Sequence, residues 1–276
     1  MAKLRLLCRD ACTTAVATAS PAMSTSLPVT NLQRPIERER VARTTSLASQ
    51  DIKLAWASAQ KANAIVLARH NLTTAATLRT LLYSDVAWTT GIYDSTALTA
   101  FSLSGLNTDI AVYTERDFRM FKTTVQYFTE VTTMQSAIAR IADAANPDGV
   151  FDVTKLMIGK YTEVSINPPY GGVDLTFMDK SVQGDADDGT MIVDKRWKAR
   201  KLVIELDQIV DSSDLDEMFA IAHYAGTDKE IFVSVYPEVG GAKEFYHHFV
   251  GRLIDSPTFN PHQVGLHKGS FVFRES

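Results

Sequence analysis

The chain has 276 residues, 45% hydrophobic and 22% charged, with 28 Lys/Arg against 32 Asp/Glu and a formal net charge of −4. That is the composition of a globular protein long enough for two domains or one large β domain, and it excludes a disordered tail. The basic excess of a nucleic-acid binder is absent, and no window approaches the roughly 18 uninterrupted apolar residues of a membrane-spanning helix.

In chain order, residues 1–12 (MAKLRLLCRDAC) place basic residues before an apolar run that Arg9 and Asp10 end too soon for a signal peptide. Residues 4–8 are apolar enough for a strand. The two cysteines, Cys8 and Cys12, have no two further ligands nearby for zinc. In an extended strand their Cα atoms would stand about 13 Å apart, too far for a disulfide. They read as two free, half-buried thiols.

A Ser/Thr/Ala stretch carrying Pro21 and Pro28 follows, then the charged segment 33–43. Ile52, Leu54 and Trp56 alternate with Asp51, Lys53 and Ala55, a period-2 strand pattern. Residues 64–68 read as a buried strand, 76–83 as another, and 92–95 as a strand ending in a turn. Short strands separated by turn signals predict an antiparallel sandwich. The aromatic stretch 105–134 reads as strands or a long loop, and 136–142 as a strand or a helical turn. Asn146-Pro147-Asp148-Gly149 is a turn, followed by apolar runs at 150–153 and 156–159.

Asn167-Pro168-Pro169-Tyr170-Gly171-Gly172 reads as a linker, which divides the chain into 1–166 and 167–276. In the second part, 173–179 reads as a strand or arm, 183–190 as an acidic loop, and 201–206 as a strand. One helix is expected at about 213–225, capped by Ser213 with Asp216 at the capping-box position and stopped by Gly226. Leu215, Met218, Phe219, Ala222 and Tyr224 fall near one face, with Ile221 beside them. Residues 231–237, 245–253 and 270–273 read as strands.

Dinucleotide, phosphate-loop, serine-hydrolase and zinc-protease motifs are absent, so no catalytic residue, metal ligand or cofactor is assigned. In a strand His247 and His248 point to opposite faces and cannot share a metal. The acidic loop Asp185-Ala186-Asp187-Asp188-Gly189 lacks the closing Glu of a calcium loop. Trp56, His70 and Trp88 lie in the strand-rich half, where they are candidates for stacking on a sugar. Core packing is the plainer reading, because sandwich cores bury Trp routinely.

Two stretches carry a resemblance. Residues 52–56, then 64–72 with His70-Asn71-Leu72, then Ala76-Thr77-Leu78-Arg79, resemble galactose-binding (discoidin-like) jelly-roll domains, and 146–159 is similar to the closing strands of such domains in tailed-phage structural proteins. The second half resembles the ring-forming domain of phage distal-tail and baseplate proteins. That similarity runs from 156–159 with Tyr161, through Asn167, Tyr170-Gly171, Asp179-Lys180-Ser181 and 196–201, to 233–237 and 271–275. The resemblance implies a mainly β chain with a jelly-roll β-sandwich over 1–166 and a β domain with one helix over 167–276. It implies a non-enzymatic virion component of the tail tip or baseplate, made in the host cytoplasm. Its partners would be further copies in a ring and other tail proteins (tube, hub and fibres), with no nucleic acid and no membrane span. The alternative is a carbohydrate-binding module that recognises a host surface glycan through Trp56, His70 or Trp88. Charge is compatible with assembly: residues 1–140 hold 15 Lys/Arg against 10 Asp/Glu, the remainder 13 against 22.

Overall fold

The computed structural model describes residues 3–37, 40–100, 122–185, 187, 190–194, 196, 198–211 and 214–276. Its strands are β1 (Arg5–Leu7), β2 (Val16–Ser20), β3 (Ala42–Arg43), β4 (Gln50–His70), β5 (Thr77–Tyr83), β6 (Gly91–Asp94), β7 (Leu98–Thr99), β8 (Thr123–Ala142), β9 (Asp152–Gly159) and β10 (Thr162–Glu163). There follow β11 (Val173–Asp179), β12 (Val182–Asp185), β13 (Met191–Asp194), β14 (Lys198–Val210), helix α1 (Asp214–Ala225) and β15 (Ile231–Ser234). Helix α2 (Gly241–His247), β16 (His248–Leu253), β17 (Thr258–Gln263) and β18 (Leu266–Glu275) complete the chain. The protein is mainly β. No described helix is long and apolar enough to cross a membrane.

The chain divides into two compact units, one of residues 1–163 with 232–250, the other of 164–231 with 251–276. The sequence reading instead makes a single cut at 166/167.

In the first unit the main sheet runs β3-β9-β4-β8-β5-β6, with β2 on β4 and β7 on β5. The two segments 52–56 and 64–68 belong to one 21-residue strand. Residues 57–63 between them contain no Gly, Pro or Asp, and the one Asn, Asn63, stands alone, which is too weak a signal to turn the chain. The strand instead absorbs register shifts between Ala55 and Ala64. These shifts change which parity faces the core: Ile52, Leu54 and Trp56 before them, Ile65 and Leu67 after. Residues 62–68 are buried on both sides because Ala64, Val66 and Ala68 pack with Leu7, Met157, Phe232 and Val250 in a second cluster. That cluster lies under the run β10-β1-β15-β16, which is part of a second eight-stranded sheet. Two sheets sharing buried layers make this unit a β-sandwich. Likewise 125–128 and 136–142 are parts of the single strand β8.

In the second unit β14 lies between β11 and β18, and β17 adds to β18. β12 and β13 form a separate two-stranded sheet, so the strand extends into the segment read as an acidic loop. Gly226, at φ +50°, ends α1. Its buried residues are Asp214, Leu215, Met218, Ile221 and Ala225, whereas Phe219 is 48% exposed. The Asp214 carboxylate is taken by Ser165, from N at 3.0 Å and Oγ at 2.7 Å. The capping Ser213, residues 186, 188 and 189 of the acidic loop, and 105–121 of the aromatic stretch lie outside the described residues.

One expectation is corrected. Residues 245–247 are helical, and only from His248 does the chain enter a strand. The reason lies upstream: Gly240 and Gly241 adopt φ of +73° and +66°. The Glu244 carboxylate then accepts the Glu238 and Gly240 amides at 3.1 and 2.7 Å, closing the loop that starts the helix. A second helix therefore joins the one expected.

Candidate functional site

The three aromatic candidates lie in different places. Trp56 is 2% exposed on the inward parity of β4, and its indole N–H donates to the Ala11 carbonyl at 2.7 Å. It offers no ring face to solvent. His70 is 0% exposed, 14 residues further along the same strand. The Thr124 hydroxyl donates to the Ala100 carbonyl, so it accepts from His70 Nε2 at 2.8 Å, which fixes the Nε2–H tautomer. Burial, and then the Lys122 ammonium, lower the His70 pKa to about 3.

That shift has a thermodynamic consequence. Above pH 6.5 His70 is neutral whether the chain is folded or unfolded. Below it only the unfolded chain takes up the proton, so stability falls as pH drops from 6.5 towards 3. The loss is about 1.4 kcal/mol per pH unit over that window. His70→Asn is expected to recover about 2 kcal/mol of that loss between pH 7 and pH 5 in urea unfolding, less of it from 7 to 6 than from 6 to 5. Equal slopes for the two proteins would refute the assignment.

Trp88 is placed differently. It is half-buried in the loop between β5 and β6, with a left-handed backbone at φ +58°. Such a φ is uncommon for a bulky side chain and needs support. Asp85 supplies it: the carboxylate accepts the amides of Ala87 at 2.8 Å and Thr89 at 3.1 Å, and that of Thr90. The Thr89 and Thr90 amides hold its pKa down at about 2. Ser136 Oγ donates to the Asp85 carbonyl at 2.6 Å and fastens the loop to β8.

The outward face beneath mixes charged and apolar positions, and its rows follow from register; Ala55, Ser136 and Ile138 on it are buried. Asp51, Arg140 and Arg79 stand side by side on β4, β8 and β5. The next row is Lys53, Ile138 and Leu81, and the next Ala55, Ser136 and Tyr83. Arg140 grips Asp51 in a fork at 2.6 and 2.9 Å. Arg79 grips Asp94 likewise, with Nε to Oδ1 at 2.9 Å, and holds the Asp94 pKa down at about 2 together with the Thr96 amide. Lys53 Nζ lies 5.7 Å from the centroid of the Trp88 ring. Trp88 alone of the three aromatics joins these groups, and sequence reading did not select its neighbours. Asp51 and Lys53 carried a signal in their alternation with Ile52 and Leu54. The Asp51–Arg140 pairing, 89 residues apart, carried none.

Buried charge elsewhere in this unit is structural. Asp10 accepts the Cys12 amide at 2.9 Å and the Ile158 amide at 3.2 Å, and its carboxylate lies 3.2 Å from Lys155 Nζ. Burial raises its pKa against those partners. The Cys12 thiol is raised well above the ordinary value by burial and then by Asp10, so it is a poor nucleophile. No group of three or more His, Cys, Asp or Glu with metal-holding geometry occurs among the described residues.

No family model matches the chain. No curated protein matches it either. Solved structures with some likeness include chitosan-binding module 1 of a chitosanase/glucanase from Paenibacillus sp. IK-5. It is 13% identical over 55% of this chain and 99% of the module, with a TM-score of 0.39. The lectin binding domain of lectinolysin, complexed with Lewis b, is 9% identical over 55% of this chain and 97% of the domain, at a TM-score of 0.38. A truncated AlyQ with CBM32 and alginate lyase domains is 13% identical over 84% of this chain and 54% of that one, at 0.34. Likeness of this size carries no argument about a ligand. The strands themselves define a mainly β chain with a β-sandwich unit.

Proposed function

We propose that the chain is a non-catalytic glycan-binding protein whose ligand lies on the outward face of β4, β8 and β5 beside Trp88. The observation that carries this reading is an indole held in left-handed backbone beside Lys53 on the outward sheet face, outside the core, by the Asp85 turn. A flat ring stacks on the C–H face of a pyranose, while forked Arg–Asp pairs present planar donors and acceptors to hydroxyls. Of Trp56, His70 and Trp88, this reading gives ligand contact to Trp88 alone. Saturable binding on a glycan array is expected to be lost in Trp88→Ala and kept in Trp56→Phe, with thermal unfolding of Trp88→Ala as the control on folding. Binding unchanged by Trp88→Ala would refute it.

A second reading, as a structural component of a phage tail tip that forms a ring of copies in the virion, is favoured by the β12–β13 hairpin. Its Val182, Met191, Ile192 and Val193 are all exposed, and its strands pair only with each other among the described residues. A lone two-stranded hairpin is marginal in water, so apolar side chains on both its faces suit docking on another subunit. Electron microscopy of particles carrying a tagged copy should place the label at the tail tip. Label absent from every particle would discard this reading.

A further inference from the structure

We propose that the Trp88 face takes an acidic saccharide, a uronate or sulfated sugar, with Lys53 as the residue that selects the acid group; this rests on the glycan reading above. The Asp51 carboxylate is held by Arg140 and that of Asp94 by Arg79. The Asp85 carboxylate is turned to backbone amides of its own loop. Lys53 has no carboxylate within ion-pair reach among the described residues, and its ammonium lies beside the Trp88 ring. In the sheet it stands between Thr18 of β2 and Ile138 of β8, neither of which carries charge.

The forked pairs keep lone pairs as well as N–H groups, so the one whole charge the face leaves without an opposite partner among the described residues is the Lys53 ammonium. Lys53 offers three N–H groups, and each guanidinium keeps N–H groups beyond the two that grip its carboxylate. The Arg79 and Arg140 side chains are 37% and 40% exposed, so those donors are within a ligand's reach. A neutral sugar would leave the ammonium without a counter-charge. A sugar ring stacked on Trp88 with a carboxylate or sulfate turned to Lys53 supplies one, and charge-assisted hydrogen bonds are about twice as strong as neutral ones.

The test is affinity electrophoresis of the full chain in gels containing polygalacturonate or alginate, each beside its methyl-esterified form. Esterification removes the charge and keeps the backbone. Retention is expected to be about tenfold stronger on the acidic forms, the equivalent of one charge-assisted contact. Lys53→Gln should lower it to the esterified level with unchanged thermal unfolding, and Trp88→Ala should abolish retention on both. Equal retention on acidic and esterified gels, still dependent on Trp88, would overturn the acidic preference and leave the glycan reading standing. Retention on none of the gels, or retention indifferent to Trp88→Ala, would overturn both.

Discussion

Replacing Glu275 with alanine is expected to destabilise the second unit by about 3–5 kcal/mol. Glu275 lies at the end of β18, and its carboxylate accepts from Arg200 Nη2 at 2.6 Å, Nε at 3.0 Å and the Arg200 amide at 3.1 Å. The two side chains are 0% and 4% exposed. Removing the carboxylate takes the counter-charge from a guanidinium that has been taken out of water, and that penalty exceeds the worth of the bonds lost. Replacing both partners removes the charge problem, so Arg200→Met with Glu275→Leu should regain most of the loss. Urea unfolding of the two variants tests this. A single-variant loss below about 1 kcal/mol would show that water reaches the pair.

Gly159→Ala is expected to cost the first unit about 4 kcal/mol or more, because no small adjustment relieves the overlap it creates. An added Cβ would sit 2.2 Å from the Arg9 carbonyl oxygen, a backbone atom, and 3.8 Å from Leu7 Cδ2. Gly159 pairs with Ala64 at the far end of β9, in the most deeply buried part of the sheet. Gly184→Ala is the matched control, since a Cβ there meets nothing within 4 Å. It should change stability by no more than about 0.5 kcal/mol. Thermal unfolding that ranks the two alike would mean that the Arg9 segment yields freely.

Where the amino-acid pattern alone speaks, it speaks about faces. The alternation of Ile52, Leu54 and Trp56 against Asp51 and Lys53 separates the core side of β4 from its outward side, and the structure keeps that division. The continuous apolar run at 64–68 marks a strand covered on both sides, as it is. Joins between runs were not legible. A polar bulge and a polar turn have the same hydropathy, so 52–56 and 64–68 read as two strands rather than one. The Gly240-Gly241 pair marks a turn in sequence, but only the Glu244 carboxylate reaching back to two amides makes it the start of a helix. The candidate site was the least legible part. Its charged members come from strands distant in sequence, and Trp88 is distinguished by a backbone angle that no composition rule signals.

The route of the chain sets a timetable for its biogenesis. β1 has β15 as a neighbour, through Arg5 opposite Ser234 and Leu7 opposite Phe232, and the cluster beneath includes Phe232 and Val250. A nascent chain that has just exposed residue 163 therefore holds most of the first unit but lacks this strand and two of the cluster's side chains. The intervening residues 164–231 must leave the ribosome before closure. Throughout that interval one edge of β1 and the apolar surface around Ala64, Val66 and Met157 are open to wrong partners, and a chaperone that shields exposed strands would act in that window. A recombinant fragment cut at residue 166 would carry the same open edge permanently.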